Sequence, residues 1–512
     1  MMSTLSVFPK NKPCRTKIIA TIGPASSSEE TMRELILAGV DLFRLNFAHS
    51  GPEKLQPLVD QIRRISAELQ QPIGILADLA GPKIRLGEIP GGEFRCLTGT
   101  IVHFVRGSST ESPDVFTTTY PVLIDELNEG DRILLADGTV SLQVVRKFPD
   151  SADCQVIQGG LVRSRQGVNL PGVALSIKTL QPKDIENARW AVEAGIDFLG
   201  LSFVRSPEDI HELRALLASA AEKKIGKDQW NLLSEGDRKI HFPNIIAKIE
   251  KPEVLEQLDA IIEAADGIMV ARGDLGVEVD IAKIAVVQKK IISTCTRMNK
   301  PVIVATQMLE SMTEESMPTR AEATDVANAI LDGTDAVMLS GESAVGAHPI
   351  LVVQTMNRIA RETENALLNG PKCDLPGLSA SRHIMIDQNL PESVRVSIAV
   401  CDAAGSLAET INASMICVAT RTGRTALNFS KMRNRVMTVG TSVYDEVLRR
   451  LCLYWGVIPV GGIDTDPKGM LTAFVDLAKK ADYLKKDDRV VLTAGIGTIA
   501  EERNVVYVHT VH

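Results

Sequence analysis

The sequence lacks the features of secreted, disulfide-bonded and membrane-spanning proteins. Its eight cysteines are scattered, with no Cys-x-x-Cys pair and no histidine and cysteine cluster at zinc spacing, so we expect neither disulfides nor structural zinc. The first 17 residues contain no apolar core of signal-peptide length. No segment approaches the roughly twenty apolar residues that span a bilayer. These absences predict a cytoplasmic protein with no membrane partner.

The sequence also lacks an excess of basic residues. Its formal net charge of -8 gives no reason to expect nucleic acid or an anionic membrane as a partner. A local group of basic side chains would therefore indicate a small anionic ligand. The length of 512 residues and the hydrophobic content of 45% predict two or more domains with large cores.

Short apolar runs alternate with helix-like segments rich in Glu, Leu and Arg over much of the chain. This alternation predicts parallel strands joined by helices, and about eight such strands close a (β/α)8 TIM barrel. We expect the barrel to occupy residues 1–85 and 180–370. The apolar runs lie at residues 17–22, 40–46, 73–78, 198–202, 245–250, 267–272, 301–306 and 335–340.

The remaining segments predict two further domains, so the predicted fold class is α/β throughout. Residues 86–179 contain short β-rich runs and the hairpin signal Asp137-Gly138, which indicate an inserted small β-barrel domain. Because this insert follows a barrel strand, it should lie over the mouth of the barrel as a lid that excludes water. Residues 371–512 begin with a linker through Leu390 and continue as a C-terminal open α/β domain.

Polar side chains recur where the predicted strands end. One such residue alone would usually be a helix cap or a loop residue. The set as a whole would lie on the one face where barrel enzymes carry out their chemistry. Among these side chains, two carboxylates beside a lysine could hold Mg²⁺ and place a cation against a developing oxyanion. The residues are Arg44, Asn46, Asp78, Lys248, Glu250, Asp274, Thr306, Ser340 and Glu342.

Seven motifs resemble, in order and spacing, those of the pyruvate kinase family. They are RLNFAHSG (44–51), DLAGPKIR (78–85), KIE (248–250), MVARGDLGVE (269–278), ATQMLE (305–310), PTRAE (318–322) and MLSGE (338–342). The resemblance runs from about residue 15 to residue 365, and it is looser in the third domain. It implies transfer of the phosphoryl group of phosphoenolpyruvate to ADP, followed by protonation of the enolate.

The resemblance also implies roles for individual residues. Glu250 and Asp274 would hold Mg²⁺ or Mn²⁺, and Lys248 would stabilise the enolate and the transferring phosphoryl group. The implied catalytic set is Lys248, Arg44, Arg85, Thr306 and Lys83. The implied substrate contacts are Gly273, Asp274, Thr306, Arg44 and Lys248. The implied nucleotide contacts are Arg44, His49, Asn46 and Arg165.

The sequence departs from the family pattern at a monovalent-cation site. Many members bind K⁺ through Asn, Ser, Asp and Thr at the positions of Asn46, Ala48, Asp78 and Leu79, and they carry Glu where this chain has Lys83. Asn46 and Asp78 are the remaining ligands, and the Lys83 ammonium can take the electrostatic role of the ion. We therefore expect no requirement for K⁺, although Lys83 could simply be a surface residue at the lid hinge.

Three other segments leave alternatives open. Gln166 replaces a lysine that contacts the nucleotide in many relatives, and Arg165 could compensate for it. Residues 221–244 form a long polar connection that we interpret as a surface excursion or a subunit contact on the amino-end side of the barrel. The third segment suits the phosphate of a sugar-phosphate or nucleotide effector, but helix capping by Thr422 or Thr425 explains it equally well. Its residues are Thr420, Thr422, Gly423, Arg424 and Thr425.

Two other functions remain open from the sequence. A barrel lyase or aldolase acting on pyruvate or phosphoenolpyruvate would use Lys248 as a Schiff-base amine, which requires a lowered pKa. A non-catalytic metabolite sensor could keep the fold, but it should have lost at least one of the charged site residues. The family resemblance also implies a homotetramer.

Overall fold

The computed structural model describes residue 8 and residues 14–48, 50–173, 175–369, 391–461, 467–494 and 505–512. Within these residues, the seven cysteines are all buried free thiols. None of the described helices is both long and apolar enough to cross a membrane.

The first barrel segment follows the predicted alternation of strands and helices. Its strands are completely or mostly buried, as expected for a sheet covered on both faces. The first helix begins where the Ser28 side chain accepts the Thr31 N–H, and it ends at Gly39, whose φ of 119° suits a residue without a β carbon. The elements are β1 (Lys17–Thr21), α1 (Glu29–Ala38), β2 (Leu42–Asn46), α2 (Pro52–Leu69) and β3 (Gly74–Asp78).

The insert after the third strand is the predicted β domain. A curled six-stranded sheet lies beside a two-stranded sheet, and the turn at Asp137 and Gly138 joins two neighbouring strands, as the sequence predicted. Its elements are β4 (Glu93–Cys96), β5 (Ile101–Val105), β6 (Val115–Phe116), α3 (Leu123–Glu126), β7 (Arg132–Leu135), β8 (Val140–Lys147), β9 (Ser151–Gln158), β10 (Gly160–Arg163) and β11 (Val168–Asn169).

The second barrel segment resumes the alternation of strands and helices. Its strands are β12 (Phe198–Leu201), β13 (Asn244–Ile249), β14 (Gly267–Ala271), β15 (Val302–Ala305) and β16 (Ala336–Leu339). Its helices are α4 (Pro182–Glu193), α5 (Pro207–Ile225), α6 (Lys227–Leu232), α7 (Glu235–Arg238), α8 (Leu258–Ala264), α9 (Arg272–Glu278), α10 (Ile281–Arg297), α11 (Arg320–Leu331), α12 (Gly341–Ala344) and α13 (Pro349–Asn369). Short 3₁₀ turns cover Lys239–His241, Pro252–Glu256 and Glu310–Thr313.

The two segments close into one parallel barrel, which confirms the predicted fold class. The strands pair in the order β1, β2, β3, β12, β13, β14, β15 and β16, and β16 returns to β1 with Lys17 opposite Ala336. Since all the strands run in the same direction, their carboxyl ends meet at one rim. The predicted polar residues that follow these strands therefore lie around a common opening.

The C-terminal domain is an open sheet flanked by helices. Its strand order is β19, β18, β17, β20 and β21, and only β21 runs antiparallel to its neighbour. The linker from residue 371 to 390 lies outside the described residues, so the predicted domain boundaries stay predictions. The elements are α14 (Glu392–Thr410), β17 (Met415–Ala419), α15 (Arg424–Lys431), β18 (Met437–Thr441), α16 (Asp445–Leu451), β19 (Val457–Pro459), α17 (Pro467–Lys480), β20 (Arg489–Ala494) and β21 (Val505–Thr510).

A repeated aspartate stabilises the barrel at the amino ends of its strands. Asp41, Asp197, Asp266 and Asp335 directly precede β2, β12, β14 and β16, which are alternate strands of the barrel. Each carboxylate accepts a backbone N–H from the preceding strand in barrel order. Each also pairs with a basic side chain, and two of them pair with arginine or lysine from the C-terminal domain. These contacts join the C-terminal domain to the barrel floor.

The polar segment 221–244 contacts the C-terminal domain of the same chain. Asp237 forms a bidentate ion pair with Arg421, whose Nε donates to Oδ1 at 2.8 Å and whose Nη2 donates to Oδ2 at 3.1 Å. The buried Arg450 guanidinium donates to the backbone carbonyls of Lys239, Ile240 and Phe242. The excursion is therefore a contact between domains, which the sequence did not predict, and the predicted subunit contact stays a prediction.

Asp197 generates a prediction about stability. Burial by itself raises the pKa of Asp197, but Arg63 and Arg449 outweigh this effect, so the pKa lies below its ordinary value. Replacing Asp197 by Asn removes the carboxylate that lies between two largely buried guanidinium groups and should lower the free energy of unfolding by about 3–5 kcal/mol. Urea titration of the first unfolding transition measures this loss.

The pH dependence of this loss has a definite sign. Because the folded pKa of Asp197 is lowered, its contribution is fully present above the ordinary aspartate pKa of about 4. It is lost as the pH falls through the folded pKa, so the difference between wild type and Asp197→Asn should shrink at acid pH.

The exposed pair Asp259–Arg297 provides the control, since Asp259→Asn should change stability by about 0.5 kcal/mol or less. A loss no larger than this control would contradict the prediction.

Candidate active site

The barrel rim brings four of the predicted charged residues into direct contact. Arg44 lies in β2, Asp78 is the last residue of β3, Lys248 lies in β13 and Glu250 follows that strand. Asp78 and Glu250 are each 1% exposed, and Lys248 is 9% exposed. We call these four residues the rim charge cluster.

Lys248 lies at the centre of the rim charge cluster. Its Nζ is 2.7 Å from Glu250 Oε1 and 3.4 Å from Asp78 Oδ2, and it donates to Ser202 Oγ at 2.8 Å. Burial by itself lowers the pKa of Lys248, but Asp78 and Glu250 outweigh burial and raise it above the ordinary lysine value. A protonated amine is a poor nucleophile, so this environment argues against the Schiff-base role of a lyase or aldolase.

Asp78 joins Lys248 to Arg44. Its Oδ2 accepts hydrogen bonds from Arg44 Nε at 3.0 Å and from Nη2 at 2.6 Å. Burial by itself raises the pKa of Asp78, but Lys248 and Arg44 bring it below the ordinary value, so the carboxylate stays ionised. Its Oδ1 has no hydrogen-bond partner and packs against Gly200, where a β carbon would lie 2.2 Å from that oxygen.

Glu250 is the member of the cluster with an incomplete set of partners. Its Oε2 accepts the Phe203 backbone N–H at 2.7 Å. Its Oε1 contacts Lys248 but receives no hydrogen bond of good geometry. Burial raises the pKa of Glu250, Lys248 lowers it and Asp274 raises it again, so the pKa lies above the ordinary value. The carboxylate therefore lies where additional positive charge would stabilise its ionised form.

Asp274 and Lys83 extend the cluster toward solvent. Asp274 lies in the first turn of α9, directly after β14, and its side chain is 33% exposed. Lys83 Nζ lies 3.4 Å from Asp274 Oδ1. The negative charge of Asp274 also contributes to raising the pKa of Glu250.

Thr306 closes another side of the site in a strained loop after β15. Thr306 and Gln307 have φ values of 66° and 54°, and this region is unfavourable for a β-branched residue such as Thr306. The Thr306 hydroxyl accepts the Gly273 N–H at 2.7 Å. The buried Arg272 guanidinium donates to the carbonyls of Thr306 and Gln307 and pairs with Asp325 at 2.5 Å.

Comparison with known proteins identifies the family of the chain. The family model described as pyruvate kinase, barrel domain, matches residues 13–353, and the one described as pyruvate kinase, alpha/beta domain, matches residues 398–509. The chain is 40% identical over 488 residues to pyruvate kinase 2 of Synechocystis sp., a match that covers 94% of this chain and 77% of that relative. It is 38% identical over 504 residues to a pyruvate kinase of Bacillus licheniformis, covering 97% and 80% of the two chains. A pyruvate kinase of Staphylococcus saprophyticus is 37% identical over 489 residues, with coverage of 94% and 78%.

The chain belongs to the pyruvate kinase family. It is therefore a phosphotransferase, and the resemblance that the sequence motifs indicated is confirmed.

Among the other residues predicted from the pyruvate kinase motifs, Arg85, Arg165 and Asn46 have side-chain partners outside the rim charge cluster. Arg85 Nη1 donates to the carbonyl of Arg165, and the exposed Arg165 side chain pairs with Glu88. Asn46 Oδ1 accepts the Ala48 N–H at 3.0 Å. His49 lies outside the described residues. None of these contacts joins the rim charge cluster, so their predicted roles stay predictions.

The predicted effector loop, residues 420–425, leads into helix α15. Helix α15 begins at Arg424 with Gly423 at its N-cap, and no side chain caps it. The Gly423 N–H donates instead to Thr420 Oγ1 at 3.0 Å. Capping by Thr422 or Thr425, one of the two explanations from the sequence, is therefore not used.

The donor atoms at the rim fit a hard divalent metal ion. Glu250 and Asp274 offer carboxylate oxygens, and Mg²⁺ in proteins is commonly held by one or two carboxylates together with water and substrate phosphates. Within the described ranges, no group of three or more His, Cys, Asp or Glu side chains could hold a metal by itself. An ion held by Glu250 and Asp274 would thus need ligands from water or substrate.

Sequence reasoning missed two residues that support this pyruvate kinase site. Ser202 accepts from Lys248 and donates to the Leu79 carbonyl at 2.7 Å. Arg272 holds the loop at Thr306 and Gln307. Both directly follow a barrel strand, and Arg272 also lies in the motif at 269–278, so their positions were a usable signal, but their partners depend on the fold.

Arg272 generates a prediction about activity. Lysine at this position has one ammonium group and cannot reach two carbonyls and Asp325 together. We expect Arg272→Lys to let the strained loop relax and to lower kcat/KM roughly 10²-fold, because small displacements of site groups are costly. Steady-state phosphotransferase kinetics measure the effect. Arg297→Lys, at an exposed ion pair, serves as the matched control, and equal kinetics for the two variants would contradict the prediction.

Proposed function

We propose that the chain transfers the phosphoryl group of phosphoenolpyruvate to ADP, giving pyruvate and ATP, as the last step of glycolysis in the cytoplasm. The observation that carries this proposal is the rim charge cluster, in which Lys248 is held protonated beside Glu250 and Asp78. Phosphoryl transfer requires positioning and charge neutralisation more than covalent help. A buried ammonium and a neighbouring guanidinium supply both.

Each residue of the cluster has a role in this reaction. An oxygen of the ADP β-phosphate attacks the phosphorus, the bond from phosphorus to the enol oxygen breaks, and the enolate is then protonated. Lys248 stabilises the enolate oxygen and the transferring group, and Arg44 and Arg85 steady the phosphoryl oxygens. Asp78 orients the Arg44 guanidinium and keeps Lys248 protonated.

The substrate carboxylate lies against the first turn of α9 in this proposal. The backbone N–H groups of Gly273 and Asp274 and the Thr306 hydroxyl receive it. The Gly273 N–H donates to Thr306 Oγ1 at 2.7 Å and the Thr306 hydroxyl donates to the Ala305 carbonyl at 2.6 Å, so the two groups lie together at that turn and the substrate carboxylate replaces these partners. Thr306 has an ordinary alcohol and is a poor acid, so it orients the substrate and does not itself protonate the enolate.

Glu250 and Asp274 hold the divalent ion, Mg²⁺ or Mn²⁺. When bound, the ion supplies positive charge to the phosphoryl and enolate oxygens. The raised pKa of Glu250, which burial and Asp274 cause, supports this assignment because a nearby cation favours the ionised carboxylate.

The nucleotide binds between the rim and the lid. Arg44, Asn46, His49 and Arg165 contact it, and the lid excludes water from the transferring phosphoryl group. The exposed Arg165 side chain is free to exchange its surface partner Glu88 for a phosphate, because an exposed ion pair contributes little.

The enzyme does not require K⁺ in this proposal. Asn46 Oδ1 accepts the Ala48 N–H. Asp78 Oδ2 accepts from Arg44, and Asp78 Oδ1 packs against Gly200. Ala48 and Leu79 have no oxygen in their side chains. Lys83 places its ammonium 3.4 Å from Asp274 and supplies the missing positive charge.

The C-terminal loop at residues 420–425 binds a sugar phosphate or nucleotide effector, and the assembled enzyme is a homotetramer. The first turn of α15, which no side chain caps, and the positive charge of Arg424 support an anionic ligand.

Lys248 provides the test of the proposed function. We expect ADP-dependent pyruvate formation from phosphoenolpyruvate in the presence of Mg²⁺, and a fall of at least about 10²-fold in kcat for Lys248→Met. A coupled assay for pyruvate measures both. Lys290→Met, at an exposed helix position, controls for loss of a lysine. Turnover by Lys248→Met equal to that of wild type would remove the central assignment.

Lys83 provides the test of independence from K⁺. In a buffer whose only monovalent cation is a tetraalkylammonium ion, wild type should be fully active and adding K⁺ should change little. Lys83→Glu should lose this activity, and the triple variant Lys83→Glu, Ala48→Ser, Leu79→Thr should regain it only with K⁺. Wild-type activity that appears only when K⁺ is added would refute the proposal.

The effector loop predicts a kinetic response. Hexose bisphosphate, pentose phosphate or AMP should shift the saturation curve for phosphoenolpyruvate, and Arg424→Gln should weaken the shift by removing a positive charge at the loop. Saturation curves with and without each compound test this. No response to any phosphorylated compound would leave the loop without the proposed role.

A further inference from the structure

The carboxylate of Glu278 joins three elements that surround the active site. Glu278 is the last residue of α9, the helix whose first turn carries Gly273 and Asp274. Its side chain is 1% exposed. A buried carboxylate normally requires charged or hydrogen-bonding partners, and those of Glu278 come from the barrel and from the lid.

The first partner comes from the barrel. Lys251 directly follows Glu250, and its Nζ lies 2.7 Å from Glu278 Oε1. The Lys251 side chain is 15% exposed, so this is a partly desolvated ion pair. The contact therefore fixes the chain next to Glu250 relative to the helix that carries Asp274.

The second partner comes from the lid. Asn169 lies in β11, and its Nδ2 donates to the same Glu278 Oε1 at 3.2 Å. Strand β11 pairs with β7, with Asn169 opposite Leu134, so the contact acts on the main sheet of the lid. It is a hydrogen bond between an amide and a charged group, which is stronger than one between neutral groups.

The turn between β7 and β8 meets the same end of α9. A β carbon at Gly138 would lie 3.3 Å from Val277 Cγ1, so the lid backbone packs closely on the residue before Glu278. Gly138 also has a φ of 85°, which favours glycine. The lid thus contacts the last turn of the helix whose first turn faces the substrate.

We propose that Glu278 is a positioning residue for phosphoryl transfer. By holding Lys251 and Asn169 on one carboxylate, it seats the lid on α9 and fixes Glu250 and Asp274 relative to each other. The inference rests on the proposed function, since it assigns the residue that aligns the two proposed metal ligands under the lid. Glu278 itself need not touch the substrate.

Introducing a second carboxylate beside Glu278, and then removing the first, tests the proposal. Asn169→Asp places a second carboxylate against Glu278, and Asn169→Ala only removes the hydrogen bond. We expect kcat/KM to fall roughly tenfold or more for Asn169→Asp and less for Asn169→Ala, with both variants still folded at the assay temperature. Adding Glu278→Gln to Asn169→Asp exchanges the positions of the amide and the carboxylate. The amide at position 278 can then donate to the carboxylate at position 169, which also remains for Lys251, so the double variant should restore part of the loss.

A second readout does not depend on activity. Hydrogen–deuterium exchange at residues 136–139 and 275–279 should increase in Asn169→Asp and return toward wild type in the double variant, because these amides lie at the contact between lid and helix. Gln143→Glu adds the same charge at an exposed position of β8 and should leave both readouts unchanged.

The outcomes separate the two proposals. Unchanged exchange and unchanged kcat/KM in Asn169→Asp, or no recovery when Glu278→Gln is added, would overturn the positioning role. A loss of activity that is explained by unfolding of the variant at the assay temperature would also overturn it, because that would be a purely structural effect. If wild type forms no pyruvate from phosphoenolpyruvate, the proposed function fails, and the exchange measurements still test the contact.

Discussion

The ion pairs of Lys248 with Asp78 and Glu250 are the interaction on which the rest of the site depends. An isolated ammonium buried at the mouth of a barrel would hold its proton less tightly, since burial by itself lowers the pKa of Lys248. Two carboxylates keep it charged, and Arg44 balances Asp78. This arrangement leaves Glu250 with Asp274 nearby and a raised pKa. The site therefore holds a permanent cation and also favours a second one.

The two ends of the barrel use buried charge for different purposes. At the carboxyl end, the charges come from several strands and contact one another at the rim. At the amino end, Asp41, Asp197, Asp266 and Asp335 each satisfy a backbone N–H of a neighbouring strand and a basic side chain. These contacts at the amino end stabilise the barrel, and the ion pairs of Asp197 and Asp335 also hold the C-terminal domain against it. At the rim, Asp78 and Glu250 each keep one buried oxygen without a hydrogen-bond partner, as is common in functional sites.

The sequence predicted the barrel strands to within a few residues, because buried parallel strands appear as continuous apolar runs. It also predicted which residues lie at the rim, since position at a strand end depends only on local pattern. It could not predict their partners. The Gly273 N–H bonds to the Thr306 hydroxyl because of left-handed dihedrals at residue 306, and Asp237 meets Arg421 because two domains pack together. Such contacts depend on tertiary placement, and no local pattern in the sequence encodes them.

The central claim is that Glu250 and Asp274 act together on one divalent ion beside Lys248. Binding of Mn²⁺ to the complete protein, measured by electron paramagnetic resonance of the free ion, tests this claim without relying on turnover. We predict that Glu250→Gln and Asp274→Asn each weaken binding by roughly tenfold or more, while Asp259→Asn at the exposed ion pair does not. Wild-type affinity in either of the two rim variants would contradict the claim.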